Sequence, residues 1–231
     1  MPLLTQTRPV ESPLVESISS IRFVGDGAVP MRPDGCWDIA IIQRGDRRMV
    51  LRTGLTTRPV SFDYADGDEL LVISFKPHSF MPLMPGEVMR DEGVMLEAYG
   101  RRGFWVGTDV REIPTFESAD VFVEHLIRDG IVGNNELVAS VVEGHPMAAT
   151  ERTLQRHFLR TTGLTYKHFT LVQRAQKAVT LLQLGRPAVE VALALGFSDQ
   201  AHMINSLKAI MGKTPSQIAR AAAGEVVGNF Q

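Results

Sequence analysis

The chain changes its residue pattern once, near residue 115, and that change limits the folds open to it. Before this point, turn sequences such as Pro33-Asp34-Gly35 separate short apolar runs, whereas after it glycines end runs with three- and four-residue apolar spacing. Turns spaced by roughly ten residues are typical of a small β-sandwich or barrel. The later spacing is typical of short amphipathic helices. The sequence therefore predicts an α+β chain of two domains, one mostly β at residues 1–113 and one all-α at 114–231.

Four runs in the first half have the composition of strands. They are rich in β-branched and aromatic residues and are bounded by turn residues. The predicted strands cover residues 37–43, 48–53, 59–64 and 69–75.

The two halves also differ in charge. Residues 1–145 contain 14 Lys and Arg against 22 Asp and Glu, while residues 146–220 contain 10 against three. An acidic half joined to a basic half indicates that only the second half meets a polyanion. A chance difference between the halves is the alternative that charge alone leaves open.

Segment 150–160 predicts a helix with a basic face. Thr150 is a suitable N-cap, because its hydroxyl can accept a hydrogen bond from a free backbone N–H. Leu154 and Phe158 fall on one side of this helix. Arg pairs well with guanine edges and with phosphate, and Gln pairs with adenine. An ordinary solvated surface helix is the alternative. The predicted polar face consists of Arg152, Gln155, Arg156 and Arg160.

A second polar-faced helix is predicted after Gly196. Ser198 is its predicted N-cap, and Met203 and Leu207 form its buried stripe. The preceding segment 188–195 is small and apolar, as a supporting helix requires. A helix, a short glycine-containing turn and a polar-faced helix make a helix-turn-helix unit. The side predicted to face away from the core carries Ala201, His202, Asn205 and Lys208.

A long helix is predicted between these two units, over residues 165–184. Phe169, Val172 and Val179 follow helical spacing along it. Its length is about 30 Å at about 1.5 Å per residue, close to the roughly 34 Å of one DNA turn. Such a linker can hold two recognition helices in successive major grooves, so we predict double-stranded DNA as the partner.

Four motifs resemble those of the AraC/XylS family of transcription regulators. The resemblance covers roughly residues 118–222, in seven helices, and implies a sequence-specific DNA-binding regulator. The matching motifs are Thr150 to Gly163, Gly196 to His202, the Lys213-Thr214-Pro215-Ser216-Gln217 segment, and Arg174 with Ala178, Leu181 and Leu182.

The resemblance also implies residue roles. Arg152, Gln155 and Arg156 lie where the family's first unit contacts bases. The family commonly has Arg in place of Asn205, so we expect the first unit to supply more of the affinity. Lys208 and Arg174 are predicted to contact phosphates. The full predicted DNA-binding set is Thr150, Arg152, Gln155, Arg156, Arg160, Arg174, Ser198, Gln200, Ala201, Asn205 and Lys208.

For the first half, the resemblance implies a cupin-like small β-barrel that acts as a sensor or dimerisation domain. A small-molecule effector bound there would bias the DNA readers. The resemblance further implies a homodimer, with RNA polymerase as a partner if the chain activates transcription. The alternative is constitutive DNA binding with a first half that only dimerises.

The Met-rich segment 81–95, with Phe80, Phe104 and Trp105, predicts an apolar effector pocket, since Met-rich surfaces adapt to apolar ligands. Plain core packing is the alternative. Cys36 is interpreted as a small buried hydrophobe rather than as an exposed redox thiol. The predicted ligand-binding residues are Trp37, Phe75, Phe80, Met84 and Trp105.

No catalytic motif is present in the sequence. A catalytic cupin needs a His-x-His and Glu cluster, but residues 1–110 contain one histidine, His78. A nucleophile elbow and a phosphate-binding loop are also missing. We therefore predict no enzyme activity, metal or cofactor. The single cysteine allows no intramolecular disulfide. Without a signal peptide or a long apolar run, the sequence predicts a cytoplasmic protein that does not contact membranes.

Overall fold

The computed structural model describes residues 3–8, 10–145 and 149–228. Most of its strands precede residue 113 and most of its helices follow residue 118, which confirms the predicted strand-rich region and helical region. The strands are β1 (Leu3–Arg8), β2 (Val15–Phe23), β3 (Gly27–Met31), β4 (Trp37–Arg44), β5 (Arg47–Thr53), β6 (Val60–Tyr64), β7 (Glu69–Phe75), β8 (Ser79–Phe80), β9 (Gly93–Leu96), β10 (Ala98–Tyr99), β11 (Gly103–Val106), β12 (Asp109–Glu112) and β13 (Gly133–Asn134).

A six-stranded antiparallel sheet in the order β1-β2-β7-β4-β5-β9 organises the first half. Its central strand β4 is apolar on both faces, because side chains alternate along a strand. Ile39 and Ile41 face the main core, whereas Ala40 and Ile42 face a smaller cluster that includes Phe62 of the β3–β6 hairpin. The hairpin therefore covers one face of the sheet. The four predicted strands correspond to β4, β5, β6 and β7.

Seven helices follow the strand region, and they match the predicted number. They are preceded by the one-turn helix α1 (Gly86–Met89). None of the described helices is long and apolar enough to cross a membrane. The seven are α2 (Ala119–Arg128), α3 (Glu136–Val142), α4 (Glu151–Thr162), α5 (Tyr166–Gln183), α6 (Ala188–Ala194), α7 (Gln200–Met211) and α8 (Pro215–Gly228).

Side-chain caps fix the start of the recognition and linker helices. Thr150 accepts from the backbone N–H of Thr153, as predicted, and Thr165 caps α5 in the same way. The predicted cap Ser198 is wrong, because Asp199 fills this position and accepts from the His202 N–H at 2.6 Å. Aspartate competes with serine as an N-cap, and here the carboxylate lies one residue closer to the helix.

The cores do not divide the chain at residue 113. The larger core contains Trp37 and Ile73 of the sheet together with Leu154 and Phe158 of α4. A second core begins at Val172 of α5 and extends over α6, α7 and the start of α8. The first helical unit therefore packs on the sheet, and the second forms its own core.

The end of α4 contacts the strand region through two glycines. A Cβ atom at Gly86 of α1 would lie 2.4 Å from the Thr161 carbonyl oxygen. A Cβ at Gly163 would lie 2.3 Å from the Gly86 carbonyl oxygen. Gly163 also ends α4 at φ 76°, a left-handed conformation that favours glycine. Backbone atoms meet directly here, so neither position has room for a side chain.

We expect Gly86→Ala to lower the free energy of unfolding by about 1–3 kcal/mol, because overpacking against backbone cannot be relieved by rotating a side chain. Urea denaturation measures this change. Gly93→Ala is the matched control, since its Cβ would meet only the flexible end of Leu51 at 3.1 Å. Equal losses in the two variants would contradict the close contact.

Candidate nucleic-acid interface and ligand cavity

The first helix-turn-helix unit consists of α3 and α4, tied together by Asn135. Its side chain caps α3, and its amide donates to the Thr161 hydroxyl at 2.7 Å. The amide oxygen also lies 3.2 Å from Nδ1 of His157. These bonds fix the angle of α4 on its support. Pro146, in the connection between the two helices, lies outside the described residues.

The predicted polar face of α4 is exposed. Among the described residues, none of the three arginines on this face forms an ion pair, so their charges stay available to a polyanion. They line one side of an open cleft whose other side is formed by Pro82, Pro85 and Glu87. The strand region therefore lies beside the first reading face. The face consists of Arg152, Gln155, Arg156 and Arg160.

The second unit consists of α6 and α7. Gly196 turns the chain at φ 69°, and the buried ring of Phe197 fills the turn. Met203 and Leu207 are fully buried, as predicted. The residues that the structure leaves exposed along the start and outer side of α7 include Ser198, Asp199, Gln200, Ala201, His202, Asn205 and Lys208.

Arg174 differs from the other predicted phosphate contacts. Its Nη1 donates to the Gly196 carbonyl at 3.0 Å, and its guanidinium lies 5.3 Å from the centre of the Phe197 ring. Arg174 therefore ties the linker helix to the turn of the second unit. The sequence predicted a phosphate contact for Arg174 and did not reveal the bond to Gly196, because residue spacing does not show which carbonyl a side chain reaches.

Arg174→Ala should destabilise the protein by about 1–2 kcal/mol, through the lost hydrogen bond and the lost cation–π contact. Chemical denaturation measures the change, and Lys177→Ala, an exposed residue of the same helix, serves as the control. Arg174→Lys should restore little of the lost stability, because the ammonium group of lysine is not planar and cannot replace the guanidinium group. Full stability in Arg174→Ala would mean that the turn does not depend on this contact.

The five predicted ligand-binding residues do not form one cavity. The rings of Trp37 and Phe75 stack at 4.1 Å between centroids within the main core, and the Trp37 Nε1 donates to Ser79. Met84 packs against the same core. Trp105 meets Tyr99 edge to face, and Phe80 lies in the short strand β8. Trp37 and Phe75 therefore fit the alternative interpretation, which is plain core packing.

A cavity of about 210 Å³ instead lies between the sheet and the β3–β6 hairpin. It is a site that the sequence analysis missed. Asp38 is the one signal that was available, because it is an acid within the apolar strand Trp37–Arg44. The apolar wall of the cavity includes Ala40, Ile42, Leu51, Phe62, Leu70 and Val72, and its polar end includes Asp34, Cys36, Asp38 and Thr53.

Two carboxyl groups dominate the polar end. Asp38 accepts from the Ser74 hydroxyl at 2.7 Å and from the Thr53 hydroxyl at 3.1 Å. Burial raises the pKa of Asp38 despite these bonds. Asp34 retains exposed surface at the mouth, yet the protein around its carboxyl and the charge of Asp38 raise its pKa to about 7. Both carboxyl groups therefore hold protons more readily than exposed acids do, because their surroundings do not fully offset a negative charge at this end of the cavity.

Cys36 is half-buried beside these acids. Burial, together with the negative charges of Asp34 and Asp38, raises the pKa of its thiol. The thiol therefore stays protonated at neutral pH, and a protonated thiol is a poor nucleophile. This favours the interpretation of Cys36 as a small packing residue.

Asp34→Asn should stabilise the protein relative to wild type, and increasingly so from about pH 5 to about pH 8. The raised pKa means that the stability contributed by Asp34 is full below its ordinary pKa and is lost as pH rises through about 7. Thermal melts across this range measure the difference, with the exposed Asp46→Asn as control. A pH-independent difference would contradict the raised pKa. The titratable groups that line the cavities beside Asp34 include Glu16, Arg32, Asp38, Lys76, His78 and Glu143.

Residues 146–221 match the model of a helix-turn-helix domain family. This confirms the predicted helix-turn-helix region at the C-terminal end. The match covers α4 to the first half of α8, and therefore both recognition helices. No curated protein matches the chain in sequence.

Several solved structures of ToxT from Vibrio cholerae align over most of the chain. One shares 10% identity, covers 95% of this chain and 98% of its own, and superposes with a TM-score of 0.42. Another shares 8% identity over 93% of this chain and 97% of its own, with a TM-score of 0.39. A fatty-acid-bound ToxT structure reaches a TM-score of 0.31 at 8% identity, covering 94% of each chain.

Proposed function

We propose that this chain, whose C-terminal region is an AraC-type helix-turn-helix domain, is a sequence-specific regulator of transcription controlled by a small-molecule effector. The observation that carries the proposal is the pair of exposed polar helices, α4 and α7, joined by one linker helix of 18 residues. That helix is about 27 Å long at about 1.5 Å per residue, which is compatible with two contacts about one DNA turn apart. A homodimer bound to a promoter, acting on RNA polymerase when it activates, completes the proposal.

The chemistry of α4 supports base reading by the first unit. Arg152 and Arg156 are exposed one turn apart, and each can pair with the two acceptors of guanine. Gln155 between them can pair with adenine. In the second unit, Asn205 can read adenine, and Lys208 can hold a phosphate.

Effector control is supported by the segments that border the cavity, because they also contact both readers. Near one side of the mouth, the Pro33 carbonyl accepts from the Gln176 amide of α5 at 3.1 Å. On another side, Gly93 lines the cavity, and the chain just before it forms α1, which contacts the end of α4. A change in cavity shape can therefore alter how the readers are held.

The second recognition helix, α7, ends against the β3–β6 hairpin. A Cβ at Gly212, the residue that ends α7, would lie 3.1 Å from Cγ of Pro59. The next residue, Val60, lines the cavity. Each recognition helix thus ends against a segment that borders the same cavity, which is the arrangement that an effector needs to act on both.

We expect Arg152→Ala/Arg156→Ala to abolish selective retention of genomic DNA fragments by the purified protein. Each lost base contact costs about 1–3 kcal/mol of discrimination, and each lost phosphate contact lowers the salt dependence by about one unit. Binding at two salt concentrations measures both effects. Arg47→Ala/Arg101→Ala, which removes two exposed arginines from the strand region, is the charge-matched control.

Equal loss of binding in the control variant would mean that bulk charge, rather than a reading face, holds the DNA. Asn205→Ala in the same assay compares the two units. A smaller loss than in Arg156→Ala is expected, and an equal loss would contradict the larger share assigned to the first unit. If DNA affinity is the same with the cavity occupied and empty, the protein is a constitutive regulator and the effector part of the proposal fails.

A further inference from the structure

The cavity under the β3–β6 hairpin has one apolar part and one acidic part. Its polar end is a cross-strand row, because Ser74 and Thr53 flank Asp38 on the neighbouring strands β7 and β5. An ionised carboxylate offers about four acceptor positions. The two hydroxyls occupy two of those on Asp38, so acceptors remain for a further donor. Asp34 adds a second carboxyl at the mouth.

The charges along the wall select against an anion. Asp34, Asp38, Asp91 and Glu92 line the cavity, and Arg32 is the one basic residue among its lining. Asp91 is engaged with the backbone and hydroxyl of Thr57. A ligand carboxylate would therefore enter beside unpaired negative charge, whereas a ligand cation would be attracted by it.

The volume sets the size of the ligand. An empty apolar cavity of about 150 Å³ accommodates benzene, and this cavity holds about 210 Å³. The space therefore fits a single ring with a short substituent. Larger ligands of the drug-like class occupy pockets of about 300 Å³ or more.

We propose that this cavity binds a small apolar primary amine, with the ring or alkyl part against Ile42, Leu51 and Val72 and the ammonium group between Asp34 and Asp38. This inference rests on the proposed function in one respect: the bound amine is then the effector. The ammonium donates to the free acceptors of both carboxylates, and its charge offsets the repulsion between them. The apolar part fills the space between sheet and hairpin.

The test uses three probes of nearly equal size, 2-phenylethylamine, 2-phenylethanol and phenylacetate, titrated into the full-length protein by calorimetry. The amine should bind at least about tenfold more tightly than the alcohol, because a hydrogen bond to a charged group exceeds a neutral one by about that factor. Phenylacetate should bind most weakly. Tightest binding of phenylacetate, or equal binding of amine and alcohol, would overturn the proposal.

Variants of the two aspartates test whether their carboxylates cause the preference for the amine over the alcohol. Asp38→Asn keeps the volume, and its amide oxygen can still accept from one of the two hydroxyls, Ser74 or Thr53, while its amide nitrogen donates to the other. This variant should remove the preference for amine over alcohol. If Asp38→Asn does not fold, Asp34→Asn at the mouth should reduce the same preference about tenfold. Asp46→Asn, in the exposed turn between β4 and β5, should leave it unchanged. A preference that survives loss of either carboxylate would overturn the assignment.

DNA retention measured on the same preparations separates this inference from the proposed function. If wild type retains specific fragments but binds none of the probes, the ligand class is wrong and the regulator stands. If the amine binds as expected but no fragment is retained, with or without it, the site stands and the proposed function fails.

Discussion

The apolar core shared by the sheet and the first recognition helix is the constraint on which the rest of the structure depends. Leu154 and Phe158 of α4 are buried with Trp37 and Ile73 of the sheet, and burying side chains of this size contributes about 1.5–3 kcal/mol each. The first reader is therefore part of the same packed body as the cavity. The second unit has its own core around Met203 and Leu207, and the linker helix α5 joins the two cores, because Phe169 lies in the first and Val172 in the second.

This division would give the proposed effector a physical route. Packed cores shift between discrete arrangements rather than deforming continuously, so a small change at a boundary moves one body as a unit. Contacts of the strand region with the linker helix and the second unit include those of Pro33 with Gln176 and of Pro59 with Gly212. Both prolines are next to residues that line the cavity. An effector that moved the hairpin or the 32–36 segment would therefore act on these contacts.

Most of what could be predicted came from local sequence patterns. Caps, glycine stops and apolar spacing are properties of neighbouring residues, so α4, α5, α6 and α7 could be placed within a residue or two. The four strands bounded by clear turns were equally accessible. The cavity could not be found this way, because its lining joins β4 to β7 with the distant Gly93. For the same reason the sequence suggested Trp37 as a ligand contact, although its ring packs against Phe75 and beneath Arg52.

The charges on β4 and β5 bear on the proposed preference of the cavity for a cation. Arg52 is buried over the Trp37 ring at 4.0 Å, and two of its nitrogens have no hydrogen-bond partner. Burial lowers its pKa to about 10, so it remains a cation at neutral pH, while its attraction to Asp38 opposes that shift. Asp38 and Arg52 thus offset each other through the sheet. Asp34 has no such partner, and the surrounding protein and the charge of Asp38 raise its pKa to about 7. The ammonium group proposed above, placed between Asp34 and Asp38, would supply this missing positive charge.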